Sequence, residues 1–152
     1  MIAVLQRVIH AKVDVDGQTV GKCAAGLMIL LGVAEGDTEK DADVLSTKIA
    51  KLRIFNDQND KMNLSLLDIG GEALVISNFS LLANYKHGNR PDYMSAAAPA
   101  IANGLYEYFC EKLSENIGKP VGKGIFGAEM KVELLNDGPI TIVMDSKVLI
   151  KN

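Results

Sequence analysis

Hydrophobic and polar positions alternate along the first part of the chain. The stretch IAVLQRVIHAKVDVDGQTVGK, residues 2–22, has the period of two that is typical of β-strands with one buried face. Asp16-Gly17 lies inside this stretch and is a strong hairpin signal, so we predict two antiparallel strands at the start of the chain. The continuous apolar run GLMILLGV, residues 26–33, then predicts a strand that is buried on both faces.

The hydrophobic period changes to that of a helix after residue 37. Leu45, Ile49 and Leu52 recur at helical spacing behind several acidic residues, so we predict a helix at about residues 38–51. A second helix is predicted to begin near Pro99 and to end at Gly118. Its apolar stripe comprises Ile101, Leu105, Tyr108, Phe109 and Leu113.

The other segments favour strands and loops. Residues 72–83, EALVISNFSLLA, are rich in β-formers and predict a strand, whereas the polar residues 84–95 predict a loop. Residues 123–150 predict two closing strands, with NDGP, residues 136–139, as a turn before the last. We therefore expect a single α+β domain over residues 1–152, with a mixed or antiparallel sheet and two main helices.

Composition and charge exclude several classes of protein. The 152 residues are 48% hydrophobic and 23% charged, as one domain with an ordinary core requires. No run approaches the roughly 18 apolar residues of a membrane helix, and the first residues do not resemble a signal peptide, so we expect a cytoplasmic protein with no membrane partner. The net charge of −3 argues against bulk electrostatic coating of nucleic acid.

Few residues suggest a metal or a redox site. Cys23 and Cys110 have no CxxC spacing and are expected to be buried, and neither His10 nor His87 has carboxylates at ligand spacing. The segment DQNDKMN resembles the start of a calcium loop, but Met62 stands where that loop needs glycine. We predict no metal and no cofactor.

Two segments are unusual for their place. Ser77, Asn78 and Ser80 put polar side chains into an otherwise apolar strand. In NDGPITIVMDS, residues 136–146, Pro139 removes a backbone donor where a strand should begin to pair. From the pattern alone, a half-exposed strand and an ordinary trans Gly-Pro turn are the simpler interpretations.

Both segments resemble motifs of one enzyme family. SNFSLLANYKHGNRP, residues 77–91, is similar to the Ser-Gln-Phe-Thr-Leu signature and following basic loop of the D-aminoacyl-tRNA deacylases, and NDGPITIVMDS is similar to their Asn-x-Gly-Pro-x-Thr motif. Further similar motifs follow in the family's order: LQRV at 5–8, VDGQTVG at 15–21, GDTEKDAD at 36–43, KLRIFND at 51–57, KMNLSLLDIGGE at 61–72 and GIFGAEM at 124–130. The resemblance therefore covers nearly the whole chain.

The resemblance implies a barrel-like sheet and an enzyme that hydrolyses the ester between a D-amino acid and the 3′ end of tRNA. It implies a homodimer that uses no metal. It also implies a cis peptide bond between Gly138 and Pro139, which would project from one subunit into the pocket of the other as a chirality filter. Asn136 and Thr141 belong to the same motif, and the resemblance implies that they too serve substrate binding and chiral selectivity. Arg7 is expected either to anchor this loop or to form a surface ion pair.

The resemblance also directs the catalytic expectation to Ser77, Asn78, Phe79 and Ser80. We expect the backbone N–H groups of Asn78 and Phe79 to stabilise the oxyanion, while water or a ribose hydroxyl attacks the ester. Ser80 is expected to orient the ester or the attacking group, and a role as covalent nucleophile is the alternative. The family usually has glutamine at the position of Asn78 and threonine at that of Ser80, so any role that needs the longer glutamine is open.

The remaining expectations concern partners and substrates. Lys86 and Arg90 are expected to contact phosphates of the tRNA acceptor end, with a solvated loop as the alternative. A filter that rejects L-residues by a clash still admits glycine, so glycyl-tRNA is an expected second substrate. Two other functions stay open: an editing deacylase for achiral or small L-aminoacyl esters, and a non-catalytic dimer that binds tRNA ends.

Overall fold

The chain begins with the predicted hairpin. The computed structural model describes residues 1–150, in which β1, Ile2–Val15, pairs antiparallel with β2, Gln18–Cys23. Asp16 and Gly17 join the two strands with φ angles of 51° and 77°. Positive φ at both central residues is what a two-residue hairpin turn with the twist of the strands requires.

β1 lies inside a six-stranded mixed sheet. One edge of β1 pairs antiparallel with β3, Gly26–Gly32. Later in the chain, β4, Phe55–Asn56, and β5, Met62–Leu64, form a separate two-stranded sheet. β6, Glu72–Ser77, runs parallel to β3, and β7, Gly122–Lys123, runs parallel to β6. The last strand, β8, spans Lys131–Asp145 and pairs antiparallel with the other edge of β1.

The sheet curls until β2 and β7 approach each other. A Cβ atom at Gly21 would lie 2.2 Å from the carbonyl oxygen of Lys123, and one at Gly122 would lie 2.6 Å from that of Lys22. Only glycine permits backbones to come so close. The sheet is therefore nearly closed, and the expectation of a mixed, barrel-like sheet is confirmed.

Two long and two short helices accompany the sheet: α1, Glu39–Lys51; α2, Leu66–Ile69; α3, Pro99–Ile117; and α4, Ser146–Leu149. α1 and α3 are the two predicted helices. Pro99 occupies the first turn of α3, and Gly118 ends it with a φ angle of 76°, as the sequence indicates. Within residues 1–150, no helix is long and apolar enough to cross a membrane.

Both faces of β3 are covered by apolar clusters. Leu27, Ile29 and Leu31 belong to a large core that also contains residues of α1 and α3, whereas Met28 belongs to a smaller cluster. The remaining buried members of the smaller cluster are Val8, Ala11, Val13, Cys23, Leu74 and Ile76. Because successive side chains of a strand point to opposite faces, this arrangement explains the continuous apolar run and confirms the prediction made from it.

Asp41 joins α4 to the start of α1. Its Oδ1 atom accepts a hydrogen bond of 2.6 Å from the Ser146 hydroxyl and lies 2.8 Å from Lys147 Nζ, and its Oδ2 atom accepts one of 2.9 Å from the N–H of Thr38. Burial acts to raise the pKa of Asp41, but the hydrogen bonds from Lys147, Ser146 and Thr38 outweigh burial and hold that pKa well below its usual value.

The strand predicted for residues 72–83 is too long. β6 ends at Ser77, which pairs with Leu31 near the end of its partner β3. A 3₁₀ helix follows at Phe79–Leu82. Asn78 caps this helix, so the polar residues mark the end of a strand rather than its exposed face.

The prediction of two closing strands over residues 123–150 is also wrong, because the segment contains one long strand, β8. β8 is continuous through the Gly-Pro segment, because the chain bulges there and does not reverse. Gln6 and Val8 of β1 pair with Thr141 and Asn136, so two steps along β1 face five steps along β8. A smaller correction concerns the stripe of α3, in which Ile101 is 58% exposed.

Candidate active site

A cavity of about 750 Å³ opens where β6 ends. Ser77, Asn78 and Phe79 form one part of its wall, and Ser80 is absent from the lining of the described chain. Much of the remaining wall is apolar and includes Leu30, Ile76, Ala102, Phe126 and Met130. The volume lies within the range of about 300 to 1,000 Å³ that is common for small-molecule pockets.

Asn78 holds the turn between β6 and the 3₁₀ helix through its backbone N–H, its backbone carbonyl and its side-chain oxygen. Its N–H donates to the carbonyl of Leu31 on β3 at 2.8 Å, and its own carbonyl accepts from the N–H of Leu81 at 3.4 Å. Its side-chain Oδ1 accepts from the N–H of Ser80 at 3.2 Å and also from the Ser80 hydroxyl. The turn is therefore fixed on both sides of Phe79.

The N–H of Phe79 has no hydrogen-bond partner among residues 1–150, although the N–H groups on either side of it are both occupied. Within one chain, the N–H of Asn78 already donates to Leu31 of β3, one residue past the end of β6. The expectation that the N–H groups of Asn78 and Phe79 both serve an oxyanion stays a prediction. The hydroxyl of Ser80 is likewise committed as a donor to Asn78.

The Gly138-Pro139 peptide bond is cis, and Arg7 reaches the loop that contains it. Arg7 is 7% exposed; its Nε donates to the Asp137 carbonyl at 3.2 Å and lies 3.4 Å from the Asp137 carboxylate. Its Nη1 donates to the carbonyl of Ile54 at 2.9 Å. The guanidinium thus joins the bulge of β8 to the segment that follows α1.

Asn136 ties together the two ends of the same bulge. Its Nδ2 donates to the carbonyls of Arg7 and Ile140, both at 3.0 Å. Its Oδ1 accepts from the hydroxyl of Thr141 at 3.5 Å. The asparagine and threonine of the motif therefore support the shape of the loop through contacts within one chain.

Gly138 and Pro139 are exposed, and in the described chain neither of them lines the cavity beside Phe79. Gly138 has a φ angle of 125°, and a Cβ atom there would lie 2.9 Å from the N atom of Ile140 and 3.1 Å from Nη2 of Arg7. Glycine is thus required at this position. A single chain does not bring the Gly-Pro pair and the predicted catalytic turn together.

Lys86 and Arg90 lie on an exposed loop with a closed base. The N–H of Asn84 donates to the Asp92 carbonyl at 2.8 Å, and the N–H of Asp92 donates to the Asn84 carbonyl at 2.9 Å. Asn84 Nδ2 also donates to the Asp92 carboxylate at 3.0 Å. These bonds form a clamp at the base of the loop, and the clamp lies beside the cavity because the next residue, Tyr93, belongs to the cavity wall.

Histidine and cysteine are poorly placed for chemistry. His10 and His87 are exposed and lie outside the cavity lining, and no group of three metal-binding side chains occurs within residues 1–150. Cys23 and Cys110 are buried, as expected from the sequence. Burial raises the pKa of the Cys23 thiol to about 11 and that of Cys110 to about 12, so neither is a reactive thiolate near neutral pH.

Sequence reasoning missed part of the wall. Tyr93 packs edge-on against Phe79 with ring centroids 4.7 Å apart, and Phe126 and Met130 come from the loop after β7. The motif GIFGAEM, which contains Phe126 and Met130, was the available signal, because it places large apolar residues in a segment that also contains two glycines. Tyr93 gave no signal, because its contact depends on how the basic loop folds back.

Comparison with known proteins identifies the family. A sequence profile described as D-Tyr-tRNA(Tyr) deacylase matches residues 4–145. The chain belongs to the D-Tyr-tRNA(Tyr) deacylase family. Within this family, a Sulfurihydrogenibium sp. protein named D-aminoacyl-tRNA deacylase is 56% identical over 98% of this chain and 100% of its own length. A Bacteroides thetaiotaomicron protein of the same name is 54% identical over 97% of this chain and 98% of its own.

Solved structures show the same fold. The c-Myc DNA Unwinding Element Binding Protein superposes with a TM-score of 0.89 at 36% identity, covering 95% of this chain and 98% of that one. A probable eukaryotic D-amino acid tRNA deacylase has a TM-score of 0.80 over the same shares of the two chains, at 17% identity. At that identity the second match supports the fold alone.

Proposed function

We propose that the protein hydrolyses the ester between a D-amino acid and the 3′ end of tRNA, releasing the free D-amino acid and tRNA. The observation that carries the proposal is that Phe79, whose N–H has no hydrogen-bond partner among residues 1–150, lines an apolar cavity in a chain of the D-Tyr-tRNA(Tyr) deacylase family. The relatives named D-aminoacyl-tRNA deacylase match this chain over nearly its full length and support the choice of substrate.

The mechanism needs little more than orientation and one good donor. An aminoacyl ester is already activated, so a water molecule attacks its carbonyl carbon, and the developing oxyanion accepts from the Phe79 N–H. One such donor contributes about 2.7 to 4 kcal/mol to the transition state. The ester bond to the ribose oxygen then breaks, that oxygen receives the proton that the attacking water loses, and the oxygen of the water stays in the free D-amino acid.

Ser80 acts as an orienting residue in this mechanism. Its hydroxyl donates to a carboxamide oxygen, which is too weak a base to take its proton. Among residues 1–150, no histidine or carboxylate forms a hydrogen bond with that hydroxyl. These contacts support the non-covalent route and disfavour Ser80 as a nucleophile.

Selection between D- and L-esters is assigned to Gly138 and Pro139 of a second copy of the chain. The pair is exposed and held by Arg7, but it lies away from the cavity of its own chain. In a homodimer it reaches the partner's cavity, where main-chain atoms exclude the side chain of an L-residue. Exposed Leu135 and Val143, 51% and 70% accessible on β8, supply apolar surface for such an association.

The tRNA is held partly by its phosphates. Lys86 and Arg90, placed by the clamp of Asn84 and Asp92, contact the acceptor end without reading its sequence. Because glycine has no side chain to exclude, glycyl-tRNA is a second substrate of the same site. Since aminoacyl-tRNA is made and used in the cytoplasm, the enzyme acts there.

The test compares D-tyrosyl-tRNA, L-tyrosyl-tRNA and glycyl-tRNA with the purified protein. We expect rapid loss of the D-ester and the glycyl ester, with the L-ester at the buffer rate. The Gly138→Ala variant should lose selectivity, because the added Cβ displaces the loop from Arg7. The matched control is Gly36→Ala, at a positive φ angle of 84° but with no atom within 4 Å of the new Cβ.

Three other results would count against the proposal. If every ester disappears at the buffer rate while the tRNA binds, the protein is a tRNA-end binding dimer. Preference for the glycyl ester or a small L-ester over the D-ester would indicate the related editing activity. Selectivity that survives in Gly138→Ala as fully as in Gly36→Ala would remove the filter from the Gly-Pro loop.

A further inference from the structure

The side chain of Asn78 is already engaged within the protein. Its Oδ1 accepts from both the N–H and the hydroxyl of Ser80, so a small ring closes around Phe79. Asparagine is among the best residues for capping the first turn of a helix in this way, whereas glutamine is not among the preferred caps.

Of residues 78–80, only Phe79 has an N–H without a hydrogen-bond partner among residues 1–150. Before Phe79, the N–H of Asn78 is bound to β3; after it, the N–H of Ser80 is bound to the cap. The carbonyl of Asn78 also accepts from Leu81, so the peptide that carries the Phe79 N–H is fixed at both ends. Without the side-chain cap, this fixation would depend on backbone contacts alone.

We propose that Asn78 is a positioning residue whose carboxamide oxygen caps the 3₁₀ turn and keeps the N–H of Phe79 directed for catalysis. This rests on the proposed function, in which that N–H receives the oxyanion. The competing role is a carboxamide that contacts the substrate directly.

Two substitutions separate these roles. Asn78→Gln keeps the carboxamide but is one carbon too long to close the same ring, while Asn78→Ser loses the carboxamide and keeps an oxygen that can cap. With D-tyrosyl-tRNA as substrate, capping predicts that Asn78→Ser retains most of kcat and that Asn78→Gln and Asn78→Ala lose about tenfold, with KM within about twofold. A substrate contact predicts the reverse order of the serine and glutamine variants, and that order would overturn the proposal.

A second measurement tests the cap apart from the activity. Hydrogen exchange of the Ser80 N–H, followed by NMR, should be several times faster in Asn78→Gln and Asn78→Ala than in the wild type or Asn78→Ser. Equal exchange in all four proteins would show that the cap does not hold the turn. If the wild type fails to hydrolyse any ester but the exchange rates follow this order, the proposed function fails and the capping role stands.

Discussion

Replacing Arg7 by lysine tests the anchor of the Gly-Pro loop without removing the buried charge. The guanidinium makes two hydrogen bonds in different directions, 3.2 Å to the Asp137 carbonyl and 2.9 Å to that of Ile54, and lies 3.4 Å from Oδ1 of Asn56. An ammonium group has no planar fork and cannot reach both carbonyls from one position. We expect Arg7→Lys to release one side of this bridge.

The expected loss of stability follows from those contacts. A hydrogen bond from a charged donor contributes about 1.5 to 3 kcal/mol, and an acceptor left unpaired in a buried place adds a cost of similar size. Loss of the hydrogen bond to one of the two carbonyls, with that carbonyl left unpaired, therefore predicts a decrease of about 3 kcal/mol in the free energy of unfolding. If the proposed filter is correct, the looser loop also lowers the ratio of D- to L-ester hydrolysis by at least about tenfold.

Urea unfolding and paired hydrolysis assays measure the two effects. The matched control is Arg53→Lys, at an exposed arginine that bonds only to the nearby Asn63 within the described chain. This control should cost less than about 1 kcal/mol and leave selectivity intact. The reasoning is refuted if Arg7→Lys unfolds within about 1 kcal/mol of the control, or if the weakened protein still discriminates fully between the two esters.

Three further predictions concern single contacts. Tyr106→Phe should lose about 1 kcal/mol in urea unfolding, because the buried 2.7 Å bond to the Val75 carbonyl disappears while that carbonyl keeps a backbone donor. Asp41 has a depressed pKa, so its contribution to the free energy of unfolding is complete above about pH 4 and is lost as the pH falls further. The difference in that free energy between wild type and Asp41→Asn should therefore narrow in unfolding experiments between about pH 4 and 2. Ser80→Ala should lower kcat less than about tenfold, and a loss above about a thousandfold in single-turnover assays would reinstate Ser80 as the nucleophile.

The sequence predicts most of the architecture because its strong signals are local. Asp16-Gly17 and Pro99 with Gly118 are short motifs whose geometry depends on neighbouring residues, and each has the structure expected of it. The glycines at 21 and 122 show only in the structure why they are needed, since the backbones that they admit are about a hundred residues apart.

The errors occur where a contact across the sheet decides the outcome. β6 stops at Ser77, which pairs with Leu31 near the end of β3, and the N–H of Asn78 is already bonded to Leu31. β8 continues through Gly138-Pro139 because β1 supplies a partner on both sides of the bulge. The motifs therefore select residues to test, whereas the long-range pairing of strands determines which of their backbone donors are occupied.

A mixed dimer of two variants distinguishes a site shared between two chains from a site within one chain. Phe79→Pro removes the free N–H at the first position of the turn, where proline fits because Asn78 already has an extended backbone, with φ of −145° and ψ of 92°. Gly138→Ala is expected to damage the proposed filter. If each filter serves the partner's cavity, a mixed dimer of these two variants contains one site with both parts intact and one with neither.

Co-expression of the two variants with different tags, followed by isolation of the mixed dimer, therefore should give selective hydrolysis of D-tyrosyl-tRNA that neither parent shows. Because only one site in two is intact, we expect about half the wild-type kcat per dimer at wild-type selectivity. A filter that acts within its own chain predicts instead that every site keeps one defect, and the mixed dimer then equals the average of its parents. That result would return the Gly-Pro loop to a structural role, since in a single chain it does not line the cavity that it would have to guard.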